Sequence, residues 1–230
     1  MSFAHGGSKQ IEHIEDFTAH EWCNELLSDP AVTHISKRHV TTLGKSVSNT
    51  FFTRTLFTDN AIRAMLSLYK PGNGRKREPG EEIFEGSGPS SEPQTSFSKD
   101  AEERRQNAKE EKIFDVNDPE APEAITLVSV GTDVDGGIRR IHGGVTASLL
   151  DNVMGTAISH VYQHVCATSD LSIKYKHPID TPCILLVRSK IVREKGRWIE
   201  TRGWVEDGHG KVFAEGSGSF VMSKLGSAKI

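Results

Sequence analysis

Ten consecutive residues, His142-Gly143-Gly144-Val145-Thr146-Ala147-Ser148-Leu149-Leu150-Asp151, combine two groups that could act together on a carbonyl. The Gly-Gly pair stands at the start of an apolar helical pattern. There the first backbone N–H groups lack intrahelical acceptors, and the helix dipole presents its positive end. Such donors suit a developing oxyanion. Asp151 follows two turns later in a segment otherwise poor in charge, where a carboxylate is costly unless it is paired or used. The chemistry this pairing would support is acyl transfer, with the acid as base or nucleophile.

The spacing constrains how the two groups could cooperate. Gly143 and Asp151 are eight positions apart, about 12 Å along a helix that rises ~1.5 Å per residue. One carbonyl needs both groups within about 3 Å of its reacting atoms. A single chain cannot supply both, but an antiparallel second copy across a two-fold axis would. Catalysis at this motif therefore predicts a homodimer.

The elements that must position these residues are legible as periodicities. Val145 to Tyr162 reads as a long helix whose apolar residues cover most of its circumference, the mark of a buried helix. Before it, residues 123–131 read as a strand and 133–140 as a turn. After it come four strands, over 167–177, 182–194, 197–206 and 211–222, with Asp207-Gly208-His209-Gly210 as a hairpin turn. Ala214, Gly216 and Gly218 share one strand face and leave room for a helix to lie close. Trp198 and Trp204 share a face that reads as core or interface. Towards the N-terminus, residues 15–29 carry helical spacing ended by Pro30, residues 49–56 (NTFFTRTL) read as a strand, and residues 58–68 as a helix.

The fold class expected is α+β, an antiparallel sheet wrapped around one long buried helix. Three regions follow: 1–70, an N-terminal helical segment with the first strand; 71–122, a disordered insertion rich in Gly, Pro, Ser and charge, with a solvated helix over 101–112; and 123–225, the main domain. The low apolar content, 36%, fits a chain part of which does not pack. A net charge of −3 offers no basic field for nucleic acid. Three scattered cysteines form neither a redox pair nor a zinc pattern. His160 and His164 have a metal-compatible i, i+4 spacing but no third ligand, so no metal is expected. Residues 1–8 lack a secretory or transit pattern, and no apolar stretch approaches the ~20 residues a membrane span needs. The localisation expected is cytoplasmic, ahead of mitochondrial.

The order of elements and the string HGGVTASLLD resemble hotdog-fold acyl-CoA thioesterases of the phenylacetyl-CoA (PaaI) type and their thioesterase-superfamily relatives. A second stretch, Thr168-Ser169-Asp170-Leu171-Ser172-Ile173-Lys174-Tyr175-Lys176-His177-Pro178-Ile179, is similar to that family's strand pattern Thr-x-x-Leu-x-Ile-x-Tyr-x-x-Pro-Ile. The resemblance spans residues 123–223 and extends in weaker form to 51–68. It implies hydrolysis of an acyl-CoA or acyl-carrier thioester. Asp151 falls at the catalytic carboxylate, Thr168 at a hydroxyl that orients water, Gly143 and Gly144 at the oxyanion turn, and His142 at the residue shaping it. It further implies a dimer or dimer of dimers, with coenzyme A entering only as part of the substrate and no separate cofactor.

Lys174, Lys176, Arg139 and Arg140 read equally as partners for the coenzyme A phosphates or as a solvated face. Two other functions stay open. A hotdog hydratase or dehydratase would pair its Asp with a His five positions on, where this chain has Thr156. A non-catalytic module would bind acyl thioesters or proteins without turnover.

Overall fold

The computed structural model describes residues 11–38, 49–78 and 110–223. Its centre is the helix α3, Gly143–Tyr162, packed on the inner face of a multi-strand antiparallel sheet. The fold is thus α+β, the hotdog arrangement. The strands are β1 (His34–Lys37), β2 (Ile62–Lys70), β3 (Lys112–Ile113), β4 (Glu123–Val130), β7 (Cys166–Tyr175), β8 (Cys183–Lys195), β9 (Trp198–Glu206) and β10 (Val212–Met222). They run in the order β1-β2-β4-β8-β9-β10-β7, with β3 alongside the far end of β8. A small hairpin, β5 (Asp135–Gly137) and β6 (Arg140–Ile141), leads directly into α3.

The helix settles where the sheet has the least side chain. Leu150 and Met154 lie over Gly203, Gly216 and Gly218. A Cβ at Gly203 would stand 3.0 Å from the Met154 methyl and 3.2 Å from Leu150, and one at Gly218 would stand 2.9 Å from the Met154 sulfur. Larger residues there would lift the helix off the sheet. Leu149, Leu150, Val153, Met154, Ala157 and Ile158 form the buried face of α3. The opposite face, with Ala147, Ser148, Asp151, Asn152, Gly155 and Thr156, is half-buried in one chain. The all-round burial expected from the sequence is therefore confined to one side of the single chain.

A second core closes the outer face of half the sheet. The residues read as one N-terminal helix form two, α1 (Glu15–Thr18) and α2 (Glu21–Ser28). Phe17, Cys23 and Val32 pack there against Ile35, Leu66, Leu68, Ile125 and Leu127. Trp22 reaches the β9–β10 turn, where Gly208 has φ 79° and a Cβ would come within 2.5 Å of the indole. An ion pair of Arg38 with Glu12, both almost fully buried, ties the preceding segment to the sheet at 2.6 Å.

Three sequence expectations are corrected. Residues 49–56 are not a strand: Phe51–Thr55 is a π-helical turn. The Asn49 carbonyl accepts from both the Thr53 amide (2.9 Å) and its hydroxyl (2.8 Å), a local bond that competes with sheet pairing. Residues 58–68 are not a helix, because β2 begins at Ile62. That strand is covered by α3 on one face and by α1 and α2 on the other, so its apolar run loses the alternation that marks a half-buried strand. The assignment of all of 71–122 to a disordered insertion is too wide at both edges. Lys112 and Ile113 pair with Glu194 and Arg193 of β8, and the Glu120 side chain accepts from the Gly74 amide at 2.6 Å. Backbone pairing and ion pairs, such as Lys112 with the buried Glu194 at 3.1 Å, hold these apolar-poor flanks. The rest of that segment, 79–109, with most of the helix expected over 101–112, lies outside the described residues. Among the described residues no helix is long and apolar enough to cross a membrane.

Candidate functional site

The start of α3 is organised by His142. Its backbone is extended, and its Nδ1 accepts from the Gly144 N–H at 2.9 Å. That geometry requires the Nε2–H tautomer. The carbonyl of His142 accepts from the amides of Val145 and Thr146, at 2.9 and 3.2 Å. Of the first four helical N–H groups, Gly143's alone has no acceptor among the described residues. His142 acts here as a helix cap. Its replacement by alanine should lower stability by about 1 kcal/mol in a urea titration; an unchanged midpoint would show that the cap contributes nothing.

Asp151 lies two turns along, on the half-buried face. Thr168 of β7 donates from Oγ1 to Asp151 Oδ1 at 2.7 Å. This contact depends on a β-bulge. Opposite β10, Leu171 pairs with Gly218 and Thr168 with Phe220, while Ser169 has no partner position. The extra residue resets the alternation, so Thr168 faces the helix along with Leu171 and Ile173. Bulges commonly re-aim a side chain in this way.

A cleft of about 290 Å³ opens beside Gly143, walled by Ile141, Ile179, Phe213 and Ala214 with Thr146 and Tyr175. Tyr175 was not among the sequence-derived site candidates. Its hydroxyl donates to the Gly143 carbonyl at 2.9 Å. The signal for it was its parity with Leu171 and Ile173, which places it on the helix side of β7.

The basic residues do not gather in one place. Lys176 pairs with Glu215 at 2.8 Å. Lys174 lines a separate outer-face cleft with Arg202 and Glu215. Arg139 and Arg140 are exposed on the β5–β6 hairpin, Arg139 with φ 53°. Trp198 and Trp204 lie on the outer face of β9, while Ile199, Thr201 and Val205 alternate inward.

Cys166 and the two histidines at i, i+4 have other surroundings. Burial, reinforced by the Asp151 charge, pushes the Cys166 thiol up to about 11. His160 stacks on Tyr69 with ring centroids 4.4 Å apart, and desolvation, with the charge of His34 nearby, pushes its imidazole down to about 3. His164 turns instead to Ser223, 2.9 Å away. Among the described residues no cluster of three or more His, Cys, Asp or Glu could hold a metal ion.

Residues 140–214, which run from β6 through α3 into β10, match the family model of the thioesterase superfamily. This segment belongs to that superfamily. Acyl-coenzyme A thioesterase THEM4 of Xenopus laevis is a distant homologue, 29% identical over 77 residues that make up 34% of this chain and 34% of that protein. The match thus spans about a third of that relative's length. Among solved structures, a Bacillus halodurans protein crystallised with CoA is 30% identical, with a TM-score of 0.40, over 43% of this chain and 66% of that one. A Streptococcus pneumoniae thioesterase described as hypothetical, solved with coenzyme A, is 14% identical, with a TM-score of 0.43, over 52% of this chain and 93% of that one.

Proposed function

We propose that this protein hydrolyses an acyl-CoA or acyl-carrier thioester. The observation that carries the reading is the Thr168–Asp151 hydrogen bond of 2.7 Å, on the helix whose first amide, at Gly143, is uncommitted. In this reading one helix carries both the oriented carboxylate and the oxyanion donor. The superfamily match and the acyl-CoA thioesterase relative support the same substrate class.

In this reading Asp151 takes a proton from water, and the oxygen attacks the thioester carbonyl. The alternative is direct attack by Asp151 to give an anhydride that water then opens. The Gly143 N–H receives the oxyanion charge. Thr168 fixes the carboxylate and leaves its second oxygen for the water. The carbon–sulfur bond then breaks, and the thiolate leaves and is protonated.

Gly143 and Asp151 of one chain remain about 12 Å apart along α3, so each site takes the glycine from one protomer and the acid from its partner. Two features of the chain favour such a dimer. Among the described residues strand β7 ends the sheet with an open edge, which invites pairing with another copy. The half-buried face of α3 carries small residues, which would let two helices approach. Arg139 and Arg140 would then be available to substrate phosphates, whereas Lys176 would first have to leave Glu215.

The test is thiol release from short, long and aromatic acyl-CoA esters, with acylated carrier protein in the same panel. Turnover of one class is expected. Binding of all of them with turnover of none would replace the reading with that of a non-catalytic acyl-thioester module.

A further inference from the structure

We propose that Tyr175 is a positioning residue for the oxyanion donor, acting by locking the Gly143–Gly144 peptide; this rests on the thioesterase reading above. A glycine–glycine peptide is the part of a chain freest to rotate about its flanking bonds. Here both of its polar ends are held. The Gly144 N–H donates to His142 Nδ1 at 2.9 Å, and the Gly143 carbonyl accepts from the Tyr175 hydroxyl at 2.9 Å. The tyrosine ring also lies on the residue itself: a Cβ at Gly143 would meet the ring carbon and the hydroxyl oxygen at 3.4 Å.

The two clamps come from opposite directions, one from the residue before the helix and one from β7. The preceding peptide is held too, its His142 carbonyl accepting from the Val145 and Thr146 amides, so both peptides flanking Gly143 are fixed and with them the direction of its uncommitted N–H. A donor fixed before the reaction needs no reorganisation as the oxyanion forms. Core packing does not account for the tyrosine, because it is 57% exposed in the single chain. Thr168 and Tyr175 lie on the same strand, so β7 would orient the carboxylate through one and the oxyanion donor through the other. In the two-fold arrangement the two actions of one strand serve different sites.

The deciding variant is Tyr175→Phe, which keeps the ring and removes only the hydroxyl. Two measurements are made on it. Amide hydrogen exchange by NMR reads the clamp directly, and Gly144 should exchange about tenfold faster than in wild type as its peptide loosens. Steady-state kinetics on the best thioester should show kcat reduced about tenfold with KM within about twofold, the pattern of a misplaced transition-state contact. The urea midpoint should stay unchanged. Unaltered exchange at Gly144 overturns the inference whether or not the protein turns over any thioester. Faster exchange with unaltered kcat overturns it too, and so does a lowered urea midpoint with kcat and KM shifted together, which marks a purely structural role. Failure of the wild type to hydrolyse any thioester in the panel removes the thioesterase reading and with it any catalytic meaning of the clamp, while the exchange result still reports on the clamp itself.

Discussion

Asp151→Asn should lower kcat by about 10³-fold, with KM and ligand affinity unchanged. Asparagine has the shape of aspartate, and its carbonyl oxygen can still accept from the Thr168 hydroxyl that now bonds the acid at 2.7 Å. The substitution therefore removes the proton acceptor without disturbing the strand–helix contact that holds it. On the proposed mechanism the effect should appear equally on every thioester turned over, because the carboxylate would act at the carbonyl common to all of them. Thiol release under saturating substrate, with ligand affinity from calorimetry on the same preparation, is the required pair of measurements. A variant retaining a tenth or more of the wild-type rate would show that some other group activates water, and Asp151 would be reduced to a partner of Thr168.

Phe17→Ala should cost about 4 kcal/mol of stability, the loss typical of a fully buried phenylalanine. Phe17 has no exposed surface, although α1, which carries it, has only four residues. Its ring is central to the outer core formed with Leu66, Leu68, Ile125 and Leu127. The folded fraction should keep its kcat, since the outer core lies across the sheet from α3. Urea unfolding followed by tryptophan fluorescence measures the cost, and Trp22 on α2 is a local reporter. A loss below about 1 kcal/mol would mean that the N-terminal helices pack loosely in solution.

These two expectations differ in how far they could be reached from sequence. The helix behind the His-Gly-Gly turn declares itself through its length and an apolar surface over most of its circumference, and β9 and β10 through alternation, because each has one buried and one open face. β2 hides for the opposite reason. Ala64, Leu66 and Leu68 serve the outer core while Ile62 and Met65 serve the inner one, so no polar face remains to give the alternation away. The π-helical turn at Phe51–Thr55 is closed by the Leu56 amide donating to the Phe51 carbonyl, beside the Thr53–Asn49 bonds, and β-favouring composition conceals all of these local bonds. Within the site, the roles proposed for Asp151 and Gly143 follow from residue type and position on a helix. The contact of Thr168 with Asp151 did not. Counting alternate residues back from Tyr175, Ile173 and Leu171 turns Thr168 away from the helix, and only the unpartnered Ser169 reverses that count. Tyr175 had the right parity, but nothing local to it indicates that its hydroxyl reaches the start of α3.

The extra residue in β7 leaves the site tolerant of a change in chain length. Deleting Ser169 would place Thr168 two positions before Leu171, and strict alternation would then keep both on the helix face without a bulge. What would turn Thr168 outward is the present three-residue spacing with the bulge ironed out. Two relatives whose threonine stands two or three residues before the leucine could thus present the same hydroxyl to the same carboxylate. A reader scoring one fixed spacing would class only one of them as active.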